Sequence, residues 1–306
     1  MKTTDTKYRR SLMATITMAV VLFVIIVFAF WKWNTQAVVI SNSSNLPANF
    51  SKDTFSHQIL ATLLTRFVNK NGHVNYQAWF DDKSAVEQLH HYLTAVAMFS
   101  PENDPQRFKG KNDRLGYWVY SYNAQVIRSI LDNWPLSSVT DLKAPVEIVQ
   151  GLGFFYNRKF IFGGKEYNLY QVENGKIFDG EGDPRVHFIL NCGSKSCPVL
   201  RPQLPVGDAL EPFLVQSSQD FIENEKNLSI DHKNRRLYLS TIFKWYKDDF
   251  LQAVSNNHNN PSLIDYLRSI SRDSFRTTLA NINDYQISFI DYDWDINQAK
   301  KRSTNE

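Results

Sequence analysis

The sequence predicts an α+β domain that follows a transmembrane helix near the N-terminus. Three observations lead to this prediction: a long uncharged segment, helical spacing of apolar residues in the next part of the chain, and paired short strands later. Helices that come first, followed by hairpins mixed with helices, favour an α+β architecture with a mostly antiparallel sheet. The chain has 306 residues, and the roughly 250 that follow the anchor are enough for one large domain or two small ones.

Residues 12–31 contain no charged side chain. A helix of this length rises about 30 Å, the thickness of the hydrocarbon layer of a bilayer. Trp31 ends this segment and Trp33 follows it, as aromatic residues do at a membrane interface, and basic residues precede it. We therefore expect a single-pass anchor in the inner membrane, with a cytoplasmic N-terminus and a periplasmic or extracellular domain. The alternatives are a cleaved signal peptide, for which the segment is too long, and a buried core helix.

The sequence divides into four parts: a basic flank and anchor (1–33), a linker (34–52), a globular domain (53–297) and a charged tail (298–306). The formal net charge is +3, but five of the 34 basic residues and one of the 31 acidic residues lie in the first part. The remainder has 29 basic and 30 acidic residues. Because this body is near neutral, we exclude a nucleic-acid-binding function. No motif predicts a cofactor.

The first half of the domain has the apolar spacing of three helices. The first follows Asp53, the second spans residues 78–99, and the third spans residues 113–134 before Pro135. Later segments alternate as strands do. Residues 159–169 and 228–239 each contain two short runs around a turn, which predicts two hairpins. Strands are also predicted over residues 186–190 and 285–294, and helices over residues 170–178, 208–225, 241–250 and 261–270.

The segment 186–198 gathers more reactive side chains than any other part of the chain. It contains both cysteines of the protein, Cys192 and Cys197, and His187 lies five residues before the first. Gly193 and Pro198 delimit a short polar loop after the predicted strand. We therefore expect thiol and imidazole groups to meet at the end of this strand.

The two cysteines allow three interpretations. Outside the cytoplasm they would form a disulfide that closes the loop. Alternatively, one is a nucleophilic or redox-active thiol with His187 as its base, although the odd spacing places His187 and Cys192 on opposite faces of an extended strand. Cys197 would return to His187 more easily. The third interpretation is a zinc ion bound by all three side chains, but their spacing matches no common zinc pattern.

Neighbouring motifs supply further candidates. Tyr122 and Asn123 form either a hydrogen-bonded buried pair or part of a site in which Asn123 donates to developing negative charge. Asp291 or Asp293 could orient His187, which is otherwise a hydrogen-bonded core histidine. Buried ion pairs or a pocket for an anion are expected among Glu173, Arg185, Arg201, Lys244 and Asp249.

The order of these motifs resembles the domain-of-unknown-function 547 family, which occurs in bacteria and plants. The matching segments are residues 116–124, 172–177, 183–188, 191–198, 240–246 with 249–250, and 287–294. Together they cover roughly residues 55–297. Where the family has Trp-Ile-Asn-Ala-Tyr-Asn, residues 118–123 are Trp-Val-Tyr-Ser-Tyr-Asn, so Tyr120 replaces the first asparagine. The resemblance implies the type of domain and leaves its reaction open.

The motif order also distantly resembles papain and transglutaminase-like folds, in which a helix N-terminus carries the nucleophile and a later strand the histidine. The corresponding helix here offers Ser121, Tyr122 and Asn123 and no cysteine. Two hypotheses follow. One is a thiol-dependent hydrolase, transferase or redox protein, with Cys197 or Cys192 as nucleophile and His187 as base. The other is a non-catalytic ligand-binding or assembly module with a structural disulfide. Either would take a small molecule or a peptide as its ligand.

Overall fold

The computed structural model describes residues 37–299, except 43, 48, 49, 145–149, 179–181 and 258, together with residues 18 and 21–23. Most of the predicted anchor, residues 12–31, lies outside these residues, as does most of the charged tail. Within the described ranges, no helix is both long and apolar enough to cross a bilayer. The anchor and its membrane location therefore stay predictions.

The described chain is a mixed fold of helices and two small sheets, which confirms the mixed α and β class. The expectation of a mostly antiparallel sheet is wrong, because each sheet joins one parallel and one antiparallel pair. In order across each sheet, the strands are β1 (Val38–Ile40), β2 (Arg158–Phe162) and β3 (Lys165–Asn168), then β4 (Leu228–Asp231), β5 (Arg236–Ser240) and β6 (Gln286–Ile290). The pairs β1–β2 and β5–β6 are parallel.

The long predicted helices are present, but the second is split. Asp82 ends one helix and begins the next, because its Oδ1 accepts a hydrogen bond from the N–H of Ala85 at 2.9 Å and caps the second helix. Among the described residues the α-helices are α1 (Gln58–Phe67), α2 (Tyr76–Asp81), α3 (Lys83–Met98), α4 (Lys111–Leu131), α5 (Leu152–Phe155), α6 (Leu169–Val172), α7 (Leu210–Ile222), α8 (Ile242–Trp245), α9 (Lys247–Val254), α10 (Leu263–Ile270) and α11 (Asp273–Thr278).

Both predicted hairpins are confirmed. Gly163 and Gly164 link β2 to β3 with φ angles of +54° and +80°, which a two-residue turn of this hand requires and glycine adopts without strain. The N–H groups of these two glycines donate to the carbonyls of Val96 and Ala97, at 2.9 and 2.8 Å. The turn is thereby attached to the end of α3.

Part of the predicted linker belongs to the folded domain. Strand β1 lies within residues 34–52 and pairs with β2. Beyond it, the Arg128 guanidinium on α4 donates to the carbonyl of Ser41 at 2.9 Å and to the side chain of Asn42. The Asn42 amide donates in turn to the carbonyl of Leu93 on α3, at 2.8 Å. The sequence missed this attachment because it depends on partners more than 50 residues away.

The prediction of a strand over residues 186–190 is wrong, because a 3₁₀ helix spans Pro184–Phe188. Asp183 caps it, with its carboxylate accepting from the N–H of Arg185 at 2.9 Å, and Pro184 occupies the first helical turn. An aspartate followed by proline is a signal for the start of a helix. At this position the local signal outweighs the β-branched and aromatic content of the segment.

The apolar interior forms two clusters. The first core packs α1 to α4 with β2, whereas the second packs β4 and β5 with α8 to α10. The 3₁₀ helix contributes to both, since Val186 is buried in the first core and Phe188 in the second. The loop that follows this helix therefore starts where the two cores meet.

Candidate functional site

A cavity of about 540 Å³ opens between the two cores. His187, Cys192, Cys197 and Tyr122 all line it, so the structure brings four of the five predicted site residues together. Asn123 does not line this cavity. The remaining wall is mainly aromatic and includes Phe155, Tyr156, Tyr170, Trp245, Tyr246, Tyr292 and Trp294.

Glu173 contributes a carboxylate to the cavity wall. It follows α6 and begins a π-helical turn, Glu173–Ile177, a geometry that recurs at functional sites. The Tyr122 hydroxyl donates to its Oε2 at 3.3 Å, and the Tyr246 hydroxyl donates to its Oε1. Burial raises the pKa of Glu173 above its ordinary value, although both hydroxyl donors oppose this shift. The expected ion pair is absent among the described contacts of Glu173, which are hydroxyl groups.

Burial also controls the tyrosines that bind Glu173. It is the largest cause of the raised pKa of both Tyr122 and Tyr246, and the nearby carboxylate raises both further. The two phenols therefore stay protonated and donate to Glu173. Because Tyr122 comes from α4 in the first core and Tyr246 follows α8 beside the second, these hydrogen bonds join the two sides of the cavity.

His187 is held by a carboxylate and by two rings. Its Nε2 lies 2.8 Å from Oδ2 of Asp249 on α9, and its ring stacks on Phe178 and Tyr246 with centroids 4.0 and 3.8 Å away. Burial lowers its pKa below 6.5, and Asp249 only partly offsets this. The imidazole is therefore mostly neutral at pH 7, and Nε2–H donates to Asp249. The orienting carboxylate is Asp249 rather than the predicted Asp291 or Asp293.

The structure joins Cys192 and Cys197 in a disulfide, and neither is free. The Tyr292 hydroxyl lies 3.2 Å from each sulfur, and the Ser194 hydroxyl donates to it at 2.9 Å. Both sulfurs are bonded, so in this oxidised state neither is a thiolate nucleophile or a metal ligand. No set of three or more His, Cys, Asp or Glu side chains in the described ranges could hold a metal ion. The hydrogen bonds of the described chain include none between His187 and either sulfur.

Asn123 connects α4 to the backbone that leads into the disulfide loop. Its Nδ2 donates to the carbonyl of Ile189 at 3.0 Å, and its Oδ1 accepts from the N–H of Asn191 at 2.8 Å. Gly193 then packs on the same helix with φ +84°, and a Cβ there would lie 2.6 Å from Cδ1 of Ile130. Asn123 and Gly193 therefore position the loop from behind the cavity wall.

Sequence reasoning missed the aromatic mouth of the cavity. Tyr156, Tyr170 and Trp245 are 38%, 44% and 46% exposed, which is unusual for such large side chains. The rings of Tyr156 and Tyr170 stack at 4.5 Å, and Trp245 lies 5.6 Å from Trp294. In the sequence, the one sign of this aromatic group was the density of aromatic residues near positions 245 and 294. Their meeting with residues 156 and 170 depends on the fold.

Residues 105–222 match the family model described as "Protein of unknown function, DUF547". No curated protein and no solved structure matches the chain. The matched region contains Tyr122, Glu173, His187 and both cysteines, whereas Tyr246, Asp249 and Tyr292 lie beyond it. The match thus covers one side of the cavity together with the disulfide. Over residues 105–222, this match supports the assignment to the DUF547 family of proteins of unknown function.

Proposed function

We propose that this protein is a membrane-anchored domain outside the cytoplasm that binds a small molecule in the cavity beside Glu173. The observation that carries the proposal is that aromatic side chains from both cores surround one doubly hydrogen-bonded carboxylate. A volume of about 540 Å³ is within the range of small-molecule sites. A mainly apolar lining with a few placed polar groups is also typical of such sites.

The disulfide supports the proposed location. Disulfides persist in the periplasm and at the cell surface, whereas thiols of cytosolic proteins stay reduced. The uncharged segment 12–31 and its basic flank give the matching topology. Together they favour an anchor that keeps residues 34–306 outside the cytoplasm.

We expect the cysteines to be oxidised in the cells that make the protein. When cells are quenched with acid and free thiols are labelled with a maleimide polymer, the wild-type chain should shift on a gel only after prior reduction. The double variant Cys192→Ser, Cys197→Ser is the control and should never shift. A shift of the wild type by two labels before reduction would contradict the disulfide and the location together.

A second function, thiol–disulfide exchange, is favoured by the position of both sulfurs in the cavity wall. A bound dithiol would transfer two electrons and two protons to the disulfide and would itself become a disulfide. In this function the cavity would select the dithiol. The thiol-dependent hydrolase or transferase chemistry expected from the sequence would need a free thiolate, and the disulfide removes that group in the oxidised protein.

A neutral dye tests whether the cavity binds small molecules. Nile red should bind the wild-type protein with a rise in fluorescence, because it is apolar and uncharged. The variant Asn174→Trp places a large ring at an exposed position of the cavity lining and should weaken binding at least about tenfold, or 1.4 kcal/mol. Asn283→Trp, at an exposed asparagine outside the lining, is the matched control. Equal binding by both variants would contradict the assignment of the site.

A further inference from the structure

We infer that the ligand of this cavity is a small organic cation with an alkylated ammonium group. This inference rests on the proposed function and specifies its ligand class. It is carried by two features of the lining, its charge and the arrangement of its rings. A third feature, the hydrogen bonding of Glu173, gives the reason for the alkyl groups.

The ionisable side chains of the lining favour a cation over an anion. Among the described residues that line the cavity, Glu173 is the one acidic side chain, and there is no lysine or arginine. His187 does not supply a positive charge at pH 7, because burial lowers its pKa and its Nε2 is bound to Asp249. The carboxylate of Glu173 would therefore repel an anionic ligand. It would attract a cationic ligand, because it has hydrogen-bond donors but no positively charged partner among the described residues. The anion-binding pocket expected from the charged residues of the sequence does not form here.

The aromatic rings form two groups at the cavity. Tyr156 and Tyr170 stack at 4.5 Å in one group. Tyr292 lies 4.6 Å from both Trp245 and Trp294 in the other. The face of an aromatic ring carries negative potential, and tryptophan attracts cations most strongly. Clusters of aromatic rings recognise quaternary ammonium ions, and Glu173 adds a carboxylate to the same wall.

Glu173 lacks a counter-charge. Its two oxygens accept hydrogen bonds from neutral phenols, and no basic side chain in the described part of the chain pairs with it. A half-buried carboxylate without a cationic partner is less stable in its ionised form, and this burial raises the pKa of Glu173. A cationic ligand would supply the missing charge and would favour the ionised form of Glu173.

The same hydrogen bonds explain why the ammonium group should be alkylated. A primary ammonium has three N–H donors that need acceptors when they leave water. Here each carboxylate oxygen already accepts one hydrogen bond from a phenol, which leaves Glu173 fewer acceptor positions, and most of the remaining wall consists of ring carbons. Methyl groups on the nitrogen pack against such rings and need no acceptor.

A pair of ligands that differ only in charge tests the inference. Choline and its uncharged carbon isostere 3,3-dimethyl-1-butanol have the same shape, and each is titrated against Nile red bound to the full-length protein in detergent. We expect choline to displace the dye at a concentration at least tenfold lower than the isostere. Equal displacement by the two ligands would overturn the inference. An uncharged oligosaccharide is titrated as a third competitor, and displacement by this competitor alone would also overturn it. This comparison uses the wild type and so does not depend on how any variant folds.

The variant Glu173→Gln keeps the shape of the side chain and removes its charge. It should lose the preference for choline over the uncharged isostere, whereas Glu225→Gln, an exposed change outside the lining, should keep it. A preference that survives Glu173→Gln would contradict the role of the carboxylate. If Nile red does not bind the wild type, the proposed function fails. If the dye binds and choline has no advantage, only the inference about the cation fails.

Discussion

Asn123→Ala is expected to lower the free energy of unfolding by about 3 kcal/mol, the largest effect among the residues predicted from the sequence. The substitution leaves the buried carbonyl of Ile189 and the buried N–H of Asn191 without partners. Each unsatisfied buried group costs roughly 1–3 kcal/mol. Urea denaturation followed by circular dichroism would measure the change.

The control for this experiment is Asn283→Ala, at an exposed position, which should change stability by less than about 0.5 kcal/mol. Nile red binding adds a second readout. If Asn123 acted on a ligand, as a donor to negative charge, its loss would weaken binding and leave stability nearly unchanged. That outcome would contradict a role in positioning the loop.

The second large effect concerns pH and depends on His57. This side chain is 7% exposed, and its Nδ1 lies 2.8 Å from the hydroxyl of Tyr92. Burial lowers its pKa from 6.5 to about 3. The unfolded chain therefore binds a proton below pH 6.5, whereas the folded protein does not until about pH 3. The stabilisation is complete above pH 6.5 and is lost progressively as the pH falls towards 3.

Between pH 7.5 and pH 5, we expect His57 to reduce the free energy of unfolding by about 2 kcal/mol. The measurement is urea denaturation of the wild type and of His57→Gln at both pH values. Glutamine retains a polar partner for Tyr92 but does not titrate, so the variant should lose about 2 kcal/mol less than the wild type. Other groups, including His187, titrate in both proteins and cancel in this difference. Equal losses would contradict the burial of a neutral His57.

The elements that were predicted correctly are those whose signals are local. Helix α4 follows from apolar spacing over one segment, and the β2–β3 hairpin follows from two adjacent glycines. The errors arose where two local signals disagreed or where the partner was distant. In Pro184–Phe188, the cap and the proline outweighed β-branched content. Strand β6 pairs with β5 although about fifty residues separate them, and no neighbouring residue specifies a parallel partner.

The candidate site shows the same difference between local signals, which the sequence revealed, and distant partners, which it did not. The sequence singled out His187, Cys192, Cys197 and Tyr122, because their residue types carry chemistry and their motifs resemble a known family. It did not identify the partner of His187, which is 62 residues away. It expected Glu173 either in an ion pair or in the lining of a pocket for an anion. Glu173 does line the cavity, but its partners are phenols 51 and 73 residues away.

By itself, the sequence determined the mixed fold class, the similarity to the DUF547 family over residues 105–222 and the concentration of reactive side chains in residues 186–198. These properties depend on composition and on interactions between residues that are close along the chain. A short segment of sequence contains all the residues that take part in such interactions. The tertiary structure alone decided that Glu173, Tyr246 and Tyr292 meet around one cavity. That meeting results from how two separate cores pack against each other, because the shape and charge of a cavity depend on side chains that are distant along the chain.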